Sequence, residues 1–371
     1  MISELNKKQF NKDILKLFNC INNINKINDS RFLDISSILN VLTLAYKGID
    51  KKSKKKIKSD INLKELLKYN MPISINHRSG VFINNKYKFS QCYLKENNNN
   101  NVLSSIPMNE ADKENINKKI SEKFPSWNNP NEKKFFKHHS FNDITLYIKD
   151  QSYFTGEWEY KFSENTIAHE FFTGEYDKIT IPMMIGRNFD LYSYESEKLN
   201  SIFIQMNYKE IDYSMLVIMP HNPHCKYKLI KFCKNNLTAE DIKEFDRNKK
   251  LVKYNEVKFP KFELKSEWDL NSNINFDKYC SYLKDFFDNE KINYRNISHS
   301  LYDFEMVNFV FTSTISFTNN NNNNNNNEES NFIFEKDFHN NQNNKLIIDK
   351  SFIFIIMNKE FMISKIGIFV G

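Results

Sequence analysis

The chain has 371 residues, 40% of them hydrophobic and 15% aromatic, enough apolar material to bury a large core. Its 7 glycines and 8 prolines are too few for collagen-like, solenoid or glycine-loop architectures. The net charge of +7 admits a polyanionic partner, yet Asn, Lys, Ile, Phe and Tyr are abundant together and share A/T-rich codons, so mutational bias accounts for the lysine without one.

Residues 7–26 place Phe10, Ile14, Leu15, Leu17, Phe18 and Ile21 at helical spacing, which predicts an amphipathic helix. Residues 34–48 are apolar almost all round, so a buried helix is expected, stopped at Gly48. Lys51, Lys52, Lys54, Lys55, Lys56 and Lys58 follow, readable as a solvated helix end or as a docking patch for an acidic polymer. From residue 144 the texture becomes strand-like. Ile144–Ile148 and Ile211–Met219 are β-rich runs, the second closed by Pro220. Val252–Leu264 alternates around Pro260, which predicts an edge or an interruption. Met306–Phe317 alternates more cleanly, and the runs 351–357 and 361–370, parted by Asn358-Lys359-Glu360, predict a hairpin. Helices early and strands late point to the α+β class. The tracts Asn97–Asn101 and Asn319–Asn327 cannot bury apolar surface against their ordering entropy and are expected as mobile insertions in surface loops.

The sequence carries no GxGxxG, P-loop, GxSxG or HExxH, and is not recognisable as an enzyme. His221, His224, Cys225 and Cys233 form its one metal-like cluster, at a spacing that matches no zinc pattern, so neither metal nor cofactor is expected. His138-His139 is read as a surface doublet rather than a catalytic base. The 5 cysteines lack CxxC pairs and are odd in number, which suits free thiols in a reducing compartment. The polar Met1–Lys8 start has no signal-peptide core, and Lys359, Glu360 and Lys365 break the C-terminal apolar run, so a cytoplasmic location is expected.

Several segments resemble the serpin family, in the family's order. They are Phe32–Ile38 running to Tyr46-Lys47-Gly48, Gly80–Tyr87, Tyr153-Phe154-Thr155-Gly156-Glu157-Trp158 with Phe162, Ile181–Met184, Ser214–Pro220, Phe259–Leu264 with Asp269-Leu270, and Ser351–Ile355 with Gly367. The resemblance covers nearly the whole chain. It implies a single domain over 1–371 with three β-sheets, about nine helices and an exposed reactive loop after the 306–316 strand. It also implies a monomer of the serine-type endopeptidase inhibitor class, with a serine or cysteine protease as partner, and extracellular release by a non-classical route as the alternative address. In inhibitory relatives the cleaved loop inserts into the central sheet and drags the acyl-enzyme with it. The alternative is a non-inhibitory serpin-fold protein with a binding or chaperone-like role.

The same resemblance assigns site residues. The latch that holds the sheet closed falls at Asp34, Ser37, Asp150 and Asn308, where the family's Asn–His pair becomes Asp150–Asn308, the amide donating to the carboxylate. A buried Asp150 must be fully paired, or else reach water. Trp158 is the aromatic at the point where the sheet opens. The hinge falls at Ser316, Phe317, Thr318 and Asn319, without the glycine and small residues that inhibitory relatives carry, and the loop from Thr318 to Lys345 is longer than usual. Asn is poor in strands, so insertion is disfavoured. The scissile region is placed around Phe334, Lys336 and Phe338, with Lys336 suited to a trypsin-like enzyme.

Overall fold

The structure, a computed structural model, describes residues 4–22, 30–56, 76–97, 101–106, 113–125, 127, 145–163, 165–209, 211–269, 292–298, 307–317 and 344–371. They form two compact units, one of 1–33, 155–264 and 315–371, the other of 34–154 and 265–314.

The first unit is built on a nine-stranded sheet. Its strands are β1 (Arg31–Asp34), β5 (Thr166–Phe172), β6 (Lys178–Ser196), β7 (Ser201–Asn207), β8 (Tyr213–Pro220), β9 (Lys250–Pro260), β12 (Lys345–Ile347), β13 (Phe352–Asn358) and β14 (Ile363–Phe369). The order is β1-β14-β13-β8-β7-β6-β9-β12, with β5 added on β6. The expected C-terminal hairpin is present, antiparallel from Phe352↔Phe369 to Met357↔Ile363. Its strands are buried on both faces, which explains why they read as continuous apolar runs rather than alternating ones. Pro220 and Pro260 close β8 and β9, since proline has no N–H to continue a ladder. Three sheets were implied, and among the described residues the strands join into two. β6 runs unbroken through 19 residues, pairing with β5 in its first half, β7 in its second and β9 along most of its length, and this fuses what would be two smaller sheets. Helix α1 (Glu4–Asn22) packs on α6 (Lys226–Asn235) and α7 (Ala239–Asn248). The start of α7 is fixed by Asp241, whose carboxylate accepts from the Thr238 backbone N–H and hydroxyl, both at 2.7 Å.

The second unit holds β2 (Asn76–Asn84), β3 (Val102–Ile106) and β4 (Leu146–Thr155), together with most of β10 (Phe262–Asp269) and β11 (Val307–Phe317). The five strands run β10-β11-β4-β2-β3, so β11 is hydrogen-bonded directly beside β4. The helices are α2 (Ile35–Gly48), α3 (Lys51–Lys54), α4 (Gln91–Asn97) and α5 (Lys113–Lys123), making seven among the described residues. Helix α2 is buried on nearly every face, as its composition demands, and Gly48 is its last residue. A Cβ there would meet Ile297 at 2.4 Å, so the glycine serves close packing as well as helix ending. Ile116 and Ile120 of α5 pack with Phe82, Val102, Tyr147 and Val310, covering one face of the sheet.

The ends of the first asparagine tract are buried rather than solvent-facing. Asn97 donates to the Tyr93 carbonyl at 2.9 Å and accepts from Lys47 at 3.1 Å, while Asn101 donates to the Asn97 carbonyl at 3.0 Å and accepts from Ser79. An asparagine offers two donors and an acceptor, which satisfies backbone groups that an apolar residue would leave orphaned. The second tract, Asn319–Asn327, lies outside the described residues, as does Ile144.

Candidate functional site

Strand β4 runs through the middle of the five-stranded sheet yet carries Lys149, Asp150, Gln151 and Ser152 in succession, all buried. Buried polar groups of this density persist only when hydrogen-bonded. Register shows how. His77 stands opposite Ser152 and Ser79 opposite Asp150, so strand alternation puts these four side chains on one face.

On that face two polar clusters form. In the first, Asp34 caps α2, accepting from the Ser37 N–H at 3.3 Å, from the Ser36 hydroxyl at 2.5 Å and from the Ser152 hydroxyl at 2.5 Å. The Ser152 hydroxyl also lies 2.9 Å from that of Ser313 on β11, and Ser313 lies 3.4 Å from Ser37. A chain of hydroxyls therefore joins α2, β4 and β11. In the second cluster the Asp150 carboxylate, fully buried, accepts from the Asn40 amide at 2.7 Å and lies 3.0 Å from His77 Nε2. With Nε2 protonated, His77 donates to the carboxylate, and a buried charge acquires two partners on two different elements.

Sequence reasoning grouped Asp34, Ser37, Asp150 and Asn308; among the described side chains Asp34 meets the Ser37 N–H, and Asp150 meets Asn40 and His77. It missed Ser36, Asn40, His77, Ser152 and Ser313. The side chain of Asn308 lies outside those described, so the expected Asp150–Asn308 pair does too.

The second part of the site is the root of the loop that follows β11. Ser316 and Phe317, the last described residues before it, are 7% and 1% exposed. The Phe317 ring centre lies 4.6 Å from Phe262, 5.5 Å from Phe354 and 6.3 Å from Trp158. Trp158 is itself stacked on Tyr208 at 4.6 Å, and the two residues form a β-bridge. Gly156 makes that stack feasible, because a Cβ there would fall 2.4 Å from the Tyr208 ring. The Trp158 indole N–H is buried with no acceptor among the described residues, and burial pushes the Tyr208 phenol well above its ordinary range. Thr318, Asn319, Phe334, Lys336 and Phe338 lie outside the described residues.

After the segment outside the described residues, β12 begins with charged contacts. β12 runs parallel to β9 with Lys345 opposite Glu256, and the carboxylate lies 3.3 Å from Lys345 and 3.9 Å from Lys258. Elsewhere, Lys51, Lys52, Lys55 and Lys56 are exposed, and Lys54 sits over the Tyr46 ring at 4.7 Å, while Lys58 lies outside the described residues. Asp50 caps this short helix. Burial raises its carboxyl, but hydrogen bonds from Ser53 and Lys52 outweigh this and hold it below the ordinary value. His221 pairs with Glu195 at 2.9 Å and Cys233 is buried, its thiol pushed up by desolvation. No group of metal-ligating side chains occurs among the described residues, and no described helix is long and apolar enough to cross a membrane.

Comparison with known proteins places this geometry. Human thyroxine-binding globulin superposes with a TM-score of 0.72 at 15% identity, covering 99% of both chains. Mouse protein-Z dependent protease inhibitor gives 0.74 at 17%, covering 99% of this chain and 97% of that one. At these identities the likeness speaks for the fold. Among curated relatives, leukocyte elastase inhibitor A of Mus musculus is 28% identical over 131 residues, 35% of this chain and 34% of that protein. An uncharacterized serpin-like protein of Methanosarcina acetivorans is 27% identical over 135 residues, 36% of this chain and 30% of that protein. These alignments span about a third of each relative. The family model for serpins (serine protease inhibitors) matches residues 33–371, and the chain belongs to that family.

Proposed function

We propose that this serpin offers the loop between β11 and β12 to a serine or cysteine protease without trapping it, acting as a binding partner or slow substrate. The observation that carries the reading is the burial of Phe317 among Phe262, Phe354 and Trp158. Insertion requires the chain to turn back at the end of β11 and enter the sheet beside β4. Phe317 must then leave its aromatic surroundings, and withdrawing a buried phenylalanine costs about 3 kcal/mol. The residues that would fill the new strand are Thr318 and then unbroken asparagine, which are poor strand formers. Inhibitory relatives carry small residues at these positions, so the same step meets little resistance in them.

Trapping remains a second reading because β11 lies directly beside β4, the arrangement from which insertion starts, and a hydroxyl chain through Ser152 and Ser313 joins them. Limited cleavage within 319–345 separates the two. Under the reading proposed here the nicked protein melts at the temperature of the intact one. A large rise in melting temperature on nicking, together with an SDS-resistant complex with a protease, would establish trapping instead.

A further inference from the structure

A groove of about 500 Å³ opens in the first unit, lined by Lys161, Phe162, Ile185 and Arg187 with Ser163. Its volume falls in the range of small-molecule sites, and its wall has the composition of one, apolar with a few convergent polar groups. Two features point to the ligand's chemistry. Neither Lys161 nor Arg187 makes an ion pair with a described residue. The residue opposite Arg187 on β9 is Glu256, whose carboxylate lies 3.3 Å from Lys345 and 3.9 Å from Lys258. Among the described residues the positive charge here is therefore in excess, and an arginine fork is suited to pair with an oxyanion from outside. The apolar part of the wall is the half-buried Ile185, with the buried Phe162 behind it.

We infer that this groove binds a small amphipathic organic anion, its carboxylate on Arg187 and Lys161 and its apolar body on Ile185, with Phe162 behind it. The position gives such a ligand two routes to the loop. Phe162 lies edge-on to Trp158 at 6.3 Å, and Trp158 is stacked on Phe317 at the root of β11. On the other side, Arg187 is the neighbour of Glu256, which holds Lys345 at the start of β12. The bound anion thus sits between the two anchors of the loop.

Titration with decanoate, followed by calorimetry and by intrinsic fluorescence, tests this on the full chain. Saturable one-to-one binding is expected, with a fluorescence change that Trp158→Phe abolishes. Arg187→Gln should weaken binding at least ten-fold and Lys161→Gln several-fold, both without a change in melting temperature because both side chains are exposed. Decanol and inorganic sulfate should each bind at least ten-fold more weakly than decanoate. Equal binding of decanol would show an apolar patch with no role for the cations, and equal binding of sulfate would show bare charge. Either result overturns the inference, as does decanoate affinity that is unchanged in Arg187→Gln or absent from the wild type.

Discussion

Asp150 is a carboxylate in the middle of a sheet, and its position is tenable only through His77 and Asn40. Removing one member of a buried pair leaves the other desolvated and uncompensated, at a cost of about 3–5 kcal/mol. Asp150→Ala should therefore unfold at markedly lower denaturant than the wild type, while Ser36→Ala, at the edge of the other cluster, should cost about 1 kcal/mol. Equal, small effects from both would mean that the carboxylate reaches water. A second consequence at this scale concerns alkaline pH. Burial holds the phenols of Tyr93 and Tyr294 far above the ordinary 10.0, and the Tyr93 hydroxyl donates to the Leu44 carbonyl at 2.9 Å. A raised folded-state pKa contributes stability that is present in full below the unfolded value and is lost as pH climbs beyond it, here above about pH 10, by about 1.4 kcal/mol per pH unit for each tyrosine. Melting temperature followed from pH 9 to about pH 11.5 should fall steeply above 10, and Tyr93→Phe should make the fall shallower. An unchanged slope in that variant would place the titrating group elsewhere.

At the scale of elements, much was legible because the physics is local. The buried helix α2 follows from a composition that is mainly apolar outside the stripe of Ser36, Asn40, Thr43 and Lys47, β8 and β9 end at prolines, and the C-terminal hairpin follows from two apolar runs parted by three polar residues. The polar clusters around β4 were half legible for the opposite reason. Asp34 and Ser37 lie three residues apart at a helix start, where capping chemistry is visible in sequence. That His77 faces Asp150 depends on the register of β2 against β4, and a one-residue slip would have put it on the other face. The fusion of two sheets through β6 was likewise invisible, since nothing in its sequence marks where its partner changes. The short helix α3 carries its own prediction. Lys51, Lys52, Lys55 and Lys56 face solvent, leaving both original readings of the lysine run standing. If the run docks an acidic polymer, duplex DNA used as a probe should bind with log K falling by about 0.9 per log unit of salt for each phosphate neutralised. Lys-to-Gln changes at these four positions should flatten that slope. An identical slope after the changes identifies the run as a solvated surface.

For the whole molecule, the family's mechanism turns on whether the sheet can accept a strand, and here two features bear on that in opposite directions. The first is the seam itself: β11 sits directly beside β4, with the Ser152 and Ser313 hydroxyls in contact across it and Tyr147 and Val310 sharing an apolar cluster. The second is the chain that would enter on the reading proposed above: Phe317 is buried in a cluster of rings, and Asn319–Asn327 would have to become a buried strand. If the obstruction lies wholly in the hinge, it is removable. A variant combining Phe317→Ala and Thr318→Gly with alanine throughout 319–327 should lose about 3–5 kcal/mol when intact, the ordinary cost of a phenylalanine-sized cavity. After cleavage within the loop it should regain that and more, melting well above both its own intact form and the nicked wild type. A hinge variant that nicks without any rise in melting temperature would move the obstruction out of the loop and into the sheet. The His77–Asp150–Asn40 cluster, which binds β2, β4 and α2 together, would then be the next group to change.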